Sequence, residues 1–283
     1  MDAAAFERDG FIVVPDVLTS EEVAMARAEL HGLIEKASGH TIQDFVSDPK
    51  LLHGGRANNP AANILAPEWK MRIHMHPRVV QTYNELFTQT FKTGRGIFAS
   101  SIPFLPTSTP PAIPLIDRVA CRFPGEEGLG LHVDKPSDNP DRTRLYWRPI
   151  QSLICLTDHW STEDGGLQVV RGAHATLADY LKGADCPQED GAIKLTGKRH
   201  DKLRAGLETV MAPAGSMILW DARLPHATAP SLREGVTREV VYTGFLPNVA
   251  VNRRYSAEIQ MQRLTAANDR DWEMAQLATG FAR

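Results

Sequence analysis

Three side chains in this sequence could bind one metal ion together: His132, Asp134 and His226. His132 and Asp134 are separated by one residue, and in a β-strand such residues point to the same face of the sheet. His226 lies much later in the chain, so only the fold can bring it to the other two. Two histidines and one carboxylate on one side of an ion leave its opposite side open, as in non-haem Fe(II) oxygenases. The alternative for an isolated His-x-Asp pair is an ordinary surface or turn pair.

The sequence around these residues indicates a β-rich core. Glycine, proline and aspartate separate short β-like runs at 117–123, 130–134, 150–157, 166–170, 209–212, 215–220 and 238–246. Many short strands joined by uneven loops are typical of an all-β sandwich or barrel. We therefore predict an all-β core over about 117–246, in a single domain spanning residues 1–283.

Helices are predicted to flank this core, over about 20–95 and 256–278. After a short strand at 11–15, the run Thr19-Ser20-Glu21-Glu22 has the form of a capping box that begins a helix. That helix is expected to end near Ala37 and to bury one face, made of Val23, Ala26, Leu30, Leu33 and Ala37. A second helix is expected over about 76–91, with Val80, Tyr83, Phe87 and Phe91 on one side. Residues 38–76 are mixed in character and carry turn signals.

Five prolines crowd residues 103–114. Proline cannot donate a hydrogen bond to a sheet ladder, so this segment cannot join a central sheet. We expect it to form a stiff, extended surface loop, and to be a wall or a lid of any pocket near it.

Composition excludes several classes of protein. The 283 residues carry a formal net charge of −3, with a pI of about 6.4, which gives no indication of nucleic-acid or anionic-membrane binding. No apolar run reaches the roughly 18 residues of a membrane-spanning helix, and the N-terminal residues lack the pattern of a secretory signal. The three cysteines, Cys121, Cys155 and Cys186, suggest reduced thiols. These features predict a cytoplasmic protein, as a monomer or a homodimer.

Three further segments follow His132 in a recognisable order: residues 164–174 (DGGLQVVRGAH), residues 214–221 (AGSMILWD) leading into His226, and residues 237–242 (TREVVY). With His-x-Asp before them, these segments resemble the phytanoyl-CoA dioxygenase (PhyH-like) family of Fe(II)/2-oxoglutarate-dependent oxygenases. The resemblance covers about 117–246, and more loosely 9–36. It implies a double-stranded β-helix, or jelly roll, of the cupin-like kind.

The resemblance also implies roles for individual residues. His132, Asp134 and His226 would be the iron ligands, and Arg238 would bind the distal carboxylate of 2-oxoglutarate. Thr228 would place a hydroxyl on the same carboxylate, with plain packing as its alternative. Arginine suits the first role because its planar fork matches a carboxylate and stays charged. Arg233 is an alternative partner, because it lies close to Arg238 in the sequence.

The activity implied is oxidation of a small-molecule C–H bond, most simply hydroxylation. Fe(II), the cosubstrate 2-oxoglutarate and O2 would be required, and succinate and CO2 would be released. Halogenating relatives have a small residue at the carboxylate position, so Asp134 argues for oxidation without halide. A zinc-type hydrolase using the same ligands, or a cupin-like protein that binds metal without turnover, are the alternatives.

Other histidines and neighbours of the ligands are expected to have lesser roles. His174 is predicted to be a structural hydrogen-bonding residue, and His74 and His76 to lie at the surface or to line a pocket. Trp220 and Asp221 are expected to orient the strand before His226, with Asp221 as a residue supporting the ligands.

The loop at 135–149 leaves directly from the predicted metal strand. Its slight basic excess, with Tyr146 and Trp147, suits a substrate that has an anionic group and an apolar body. A solvated charged loop is the alternative.

Overall fold

The fold is taken from a computed structural model. It describes residues 1–51, 61, 64–90, 112–134, 148–181, 188–189, 192–248 and 250–260. The strands are β1 Phe11–Val14, β2 Ala112–Pro114, β3 Val119–Arg122, β4 Leu129–Asp134, β5 Ile150–Cys155, β6 Leu167–Val170, β7 Gln188–Glu189, β8 Ala192–Lys194, β9 Leu207–Thr209, β10 Met217–Asp221, β11 His226–Thr228, β12 Arg238–Thr243 and β13 Phe245–Pro247. The helices are α1 Ala3–Asp9, α2 Ser20–Ser38, α3 Ile42–Ser47, α4 Glu68–His74, α5 Pro77–Thr90, α6 Leu177–Leu181, α7 Asp201–Ala205 and α8 Ala250–Tyr255.

Two antiparallel sheets form the core. The five-stranded sheet has the order β1-β10-β5-β12-β3, and the six-stranded sheet has the order β7-β8-β4-β11-β6-β9. The chain passes from one sheet to the other at each step from β3 to β6, and again from β10 to β12. This winding confirms the predicted double-stranded β-helix with flanking helices.

Side chains alternate between the two faces of each strand, which separates an inner layer from two outer layers. On β12, Val240 packs with residues of both sheets, whereas Val241 packs in the cluster that includes the helices. On β4, Leu131 and Val133 pack outward with Leu177 of α6. His132 and Asp134, which alternate with Leu131 and Val133 on β4, therefore point into the space between the sheets, as Val240 does on β12.

Helix α2 confirms the predicted start. Thr19 accepts a hydrogen bond from the backbone of Glu22, and the Glu22 side chain accepts one from the backbone of Thr19, which completes a capping box. Its buried residues are Val23, Ala26, Leu30 and Ile34. The predicted face was wrong at one end, because Ala37 is exposed and Ile34 is buried in its place.

Helix α5 lies within the range predicted for the second helix. Tyr83 and Phe87 are buried as expected, and Val80 is partly buried; Val79 and Leu86 complete the face. Phe91 lies outside the described residues.

The predicted strands are present, with shifts at their ends. The run predicted at 238–246 is divided at Gly244 into β12 and β13, and β13 pairs with β2 in a separate two-stranded sheet. A Cβ at Gly244 would lie 3.2 Å from Leu115, so glycine permits this close approach. The run predicted at 209–212 begins earlier, as Leu207–Thr209. The short strands β2, β7, β8 and β11 were not predicted.

The proline-rich segment is described only from Ala112 onward. Ala112–Pro114 forms β2, which pairs outside the two large sheets, as the proline content predicts. The expectation of a surface loop was wrong for this part, because Ala112 is buried. Toward the C-terminus, α8 is followed by a short π-helix, Ser256–Gln260, and the rest of the helix predicted to 278 lies outside the described residues. In the part of the chain that the structure describes, no helix has the length and apolarity to cross a bilayer.

Candidate metal centre and cosubstrate pocket

The three predicted ligands meet on the inner face of the six-stranded sheet. Strands β4 and β11 are antiparallel neighbours, and His132 lies directly opposite His226. Asp134 is the last residue of β4 and shares the face of His132. The ligand atoms of His132, Asp134 and His226 all lie within 4.8 Å of one another.

The spacing of the three side chains suits a shared ion. His132 Nε2 lies 3.5 Å from Asp134 Oδ1, and His226 Nε2 lies 3.7 Å from Asp134 Oδ2. The two imidazole rings are 4.3 Å apart between centroids. Both histidines are buried, and the Asp134 side chain is 37% exposed, so the open side of the group lies at the carboxylate.

Each histidine has its proton fixed on the nitrogen that faces away from the group. His132 Nδ1 donates to the carbonyl oxygen of Gly130, and His226 Nδ1 donates to that of Leu224, both at 2.8 Å. A carbonyl oxygen can only accept, so Nε2 of each ring is left with a lone pair. This arrangement is typical of metal-binding histidines, whose second nitrogen is held by a backbone carbonyl.

Burial keeps the site ready for a cation. Burial lowers the pKa of His226 to about 4, which outweighs the opposing effect of the Asp134 charge. Burial alone would raise the pKa of Asp134, but its contacts with the neighbouring imidazoles and the hydrogen bond from Gln151 hold it well below its ordinary value. Neutral imidazoles and an ionised carboxylate are the forms that bind a divalent metal.

Two residues of the five-stranded sheet support the ligands. The Gln151 amide on β5 donates a short hydrogen bond to Asp134 Oδ2, which connects the two sheets at the site. The Trp220 ring on β10 lies 5.6 Å from the His226 ring between centroids. Asp221 does not take the role predicted for it, because its carboxylate accepts from Arg223 rather than from a ligand.

Arg238 is buried in the interior between the sheets, with 1% of its surface exposed. Its Nε and Nη1 have no hydrogen-bond partner among the described residues. Unpaired buried donors are costly, so a guanidinium in this position fits an anionic ligand such as a carboxylate. The strand of Arg238, β12, belongs to the sheet opposite that of His226, between β5 and β3.

Arg233 lies in a different environment. Its side chain is 53% exposed and donates to Asp164 Oδ1 at 3.2 Å. Thr228 is buried, and its pairing with Leu167 places it on the same inner face as His226. The structure therefore places Arg238 and Thr228 in the interior and Arg233 at the surface.

The remaining predictions concern three histidines, His174, His76 and His74. His174 is confirmed as a hydrogen-bonding residue, since its Nε2 donates to the carbonyl oxygen of Glu7 at 3.0 Å. His76 is partly exposed and lies 3.4 Å from Glu22 Oε1. The prediction for His74 was wrong: this residue is fully buried, its ring packs against Phe245, and burial lowers its pKa to about 3.

Most of the loop predicted at the pocket mouth, 135–147, lies outside the described residues. Arg148, at its end, forms an ion pair with Asp117 at 2.9 Å and is largely buried. This arginine therefore does not contribute to the basic excess expected at a pocket mouth.

No motif or periodic pattern in the sequence pointed to Gln151 or to the buried His159. Gln151 lies in a run of residues that are all buried, so strand alternation does not identify it until the partner sheet is known. His159 lies outside the named strands, between the exposed Asp158 and Trp160, and it pairs with the distant Ala212.

Comparison with known proteins agrees with this geometry. The family model of phytanoyl-CoA dioxygenase (PhyH) matches residues 123–238, which contain all three candidate ligands and Arg238. The ectoine dioxygenase of Stutzerimonas stutzeri is 22% identical over 253 residues, covering 84% of this chain and 73% of that protein.

Solved structures show the same fold. A hypothetical protein from Escherichia coli superposes with a TM-score of 0.69 at 16% identity, over 99% of this chain and 81% of the other. HygX from Streptomyces hygroscopicus, solved with nickel and 2-oxoglutarate bound, superposes with a TM-score of 0.51 at 21% identity, over 86% of this chain and 84% of the other. The family match over residues 123–238, the fold and the candidate ligand set together make this chain similar to the phytanoyl-CoA dioxygenase (PhyH) family.

Proposed function

We propose that this protein oxidises, and most simply hydroxylates, a C–H bond of a small molecule, with 2-oxoglutarate as cosubstrate. The observation that carries the proposal is the buried Arg238, whose Nε and Nη1 have no partner among the described residues and lie in the same interior as the candidate metal ligands. A zinc hydrolase or a metal-binding protein without turnover has no need of such a group. When bound, iron and 2-oxoglutarate supply the oxidation, with release of succinate and CO2.

In this proposal the residues divide the work between the two sheets. His132, Asp134 and His226 of the six-stranded sheet bind Fe(II) on one side and leave its other side open. Arg238, from the five-stranded sheet, binds the distal carboxylate of 2-oxoglutarate, with Thr228 donating its hydroxyl to the same carboxylate. Gln151 holds the Asp134 carboxylate in one orientation, so that it does not turn away from the ion.

We also propose a substrate class, a cellular compartment and an oligomeric state. The substrate is a small molecule, and we propose that this molecule carries an anionic group. Cys121 and Cys155 are buried thiols, which favours a reducing compartment such as the cytoplasm. We propose one catalytic domain over residues 1–283, acting as a monomer or a homodimer.

An anaerobic titration tests the proposal without knowledge of the substrate. Apo-protein is titrated with Fe(II) and then with 2-oxoglutarate while visible absorption is recorded. We expect a weak metal-to-ligand charge-transfer band that requires both additions and is absent in His132→Ala. His200→Ala is a matched control, because this buried histidine contacts Tyr180 rather than the metal ligands.

Two outcomes would contradict the proposal. Iron binding without a band would favour the hydrolase or the binding protein, and zinc-dependent hydrolysis would then be measured. An unchanged band in His132→Ala would show that the ion is bound elsewhere.

A further inference from the structure

His159 is a second buried group beside Arg238. It has no exposed surface, and its backbone forms two hydrogen bonds with Ala212. Two consecutive glycines, Gly165 and Gly166, allow the backbone to pack against both side chains. A Cβ at Gly165 would lie 3.6 Å from Arg238 Cβ, and a Cβ at Gly166 would lie 3.6 Å from His159 Cβ. Arg238 and His159 therefore line one small region of the interior.

His159 is neutral in this position. Burial, and then the charge of Arg238, lower its pKa to about 3. Its Nδ1 lies 3.5 Å from Cys155 Sγ, and burial raises the pKa of that thiol to about 12, so the thiol keeps its proton. If the thiol donates to Nδ1, the imidazole proton is on Nε2. Nε2 is a buried polar atom without a hydrogen-bond partner in the part of the chain that the structure describes.

We propose that His159 Nε2–H donates a hydrogen bond to the distal carboxylate of 2-oxoglutarate, beside the Arg238 guanidinium. The inference rests on the proposed function and adds a binding residue to it. Three nitrogens in this region have no hydrogen-bond partner among the described residues, two on Arg238 and one on His159. A carboxylate has about four lone-pair positions on its two oxygens, enough for all three. A neutral donor adds a hydrogen bond there without repelling Arg238.

The test separates the distal carboxylate from the rest of the cosubstrate. Dissociation constants are measured anaerobically on the Fe(II)-loaded protein, from the visible band, for 2-oxoglutarate and for 2-oxopentanoate, which lacks the distal carboxylate. We expect His159→Leu to weaken 2-oxoglutarate binding at least about tenfold and to leave 2-oxopentanoate binding unchanged. His159→Gln places an amide donor near the Nε2 position and should restore most of the loss. His200→Leu is the control for loss of a buried histidine.

The outcomes distinguish this inference from the proposed function. Wild-type protein that binds iron but gives no band with 2-oxoglutarate overturns both. A normal wild-type band with unchanged 2-oxoglutarate binding in His159→Leu overturns only the role of His159. Equal weakening for both oxo acids, or no recovery in a folded His159→Gln variant, would likewise show that His159 acts only through packing.

Discussion

Two neighbouring residues on β12, Arg238 and Glu239, are both charged and both buried, but they face opposite layers of the protein. The Glu239 carboxylate accepts hydrogen bonds from Arg27 at 2.9 Å, from Thr237 at 2.6 Å, and contacts His31 at 2.9 Å. Arg238 faces the interior, where two of its nitrogens have no partner among the described residues. The Glu239 charge is paired within the protein, whereas the Arg238 charge is available to a ligand.

The difference distinguishes a buried charge that stabilises the fold from a buried charge that is available to a ligand. A buried charge that lacks a partner reduces stability, so its presence indicates a role in binding or catalysis. Glu239 joins α2 to the five-stranded sheet, and its role is complete in the folded chain. Two nitrogens of Arg238 have no partner among the described residues, and the candidate metal ligands lie in the same interior.

The largest expected effect is on the metal. His226→Ala removes one of the three proposed ligands and should abolish tight iron binding and iron-dependent turnover, because two remaining ligands cannot hold the ion in place. Iron content after gel filtration, with succinate formation from 2-oxoglutarate, measures both effects. His200→Ala should behave as wild type in the same assays. Full iron content in His226→Ala would mean that this residue is not a ligand.

The next effect is on cosubstrate affinity. Arg238→Leu should raise the dissociation constant for 2-oxoglutarate at least about 30-fold, because a carboxylate would be bound without its charged partner. Arg233→Leu, at the exposed position, should leave it unchanged. Anaerobic titration of the visible band measures both variants. The reverse result, with Arg233→Leu impaired, would move the carboxylate to the surface arginine.

The Arg238→Leu substitution should act in the opposite direction on the stability of the ligand-free protein. Arg238→Leu breaks no hydrogen bond from Nε or Nη1 to a described residue and removes a buried charge, so the ligand-free protein should keep or gain stability. Urea unfolding of the apo-protein measures this. A clear loss of stability would show that Arg238 has a structural partner after all.

The sequence could predict the parts of the site that follow from local geometry. His132 and Asp134 share a face because one residue separates them in a strand, and Thr19 to Glu22 fix the start of α2 by contacts three residues apart. Gly215, with φ of +85° at the turn before β10, lies in the apolar segment that the sequence singled out. Such features are determined within a few residues of the chain.

What could not be predicted depends on pairing between distant strands. The register of His132 opposite His226 is set by β4 and β11, and β11 is only three residues long, too short for a periodic pattern. The position of Arg238 on the opposite sheet, and the contact of Gln151 with Asp134, follow from the winding of the chain between two sheets. The prediction for His74 was wrong for a related reason. This residue is buried because α4 packs against Phe245, which lies far along the sequence.

A smaller effect is expected on the partnered charge. Arg27→Ala removes one donor from the buried Glu239 carboxylate, and the free energy of unfolding should fall by about 1 kcal/mol, since Thr237 and His31 remain and Arg27 is itself 39% exposed. Binding of 2-oxoglutarate should not change. Arg8→Ala, which removes an exposed pair with Asp9, is the control and should cause no measurable change. A marked loss of cosubstrate affinity in Arg27→Ala would show that the two faces of β12 are coupled.

The smallest effect is a dependence of stability on pH. Burial alone would raise the pKa of Glu239, but its hydrogen bonds with His31, Arg27 and Thr237 hold the pKa below the ordinary value of 4.5. A carboxyl group with a lowered pKa adds stability at pH values above 4.5, and this stability is lost as the pH falls through the pKa of the folded state. The difference in unfolding free energy between wild type and Glu239→Gln should therefore be constant from pH 7 to about 5 and should shrink at lower pH. Arg238 stays charged throughout this range, so the difference between wild type and Arg238→Leu should not follow the same curve. Urea unfolding of the three proteins across this range measures both differences, and a Glu239→Gln difference that grows on acidification would reverse the sign argued for this carboxylate.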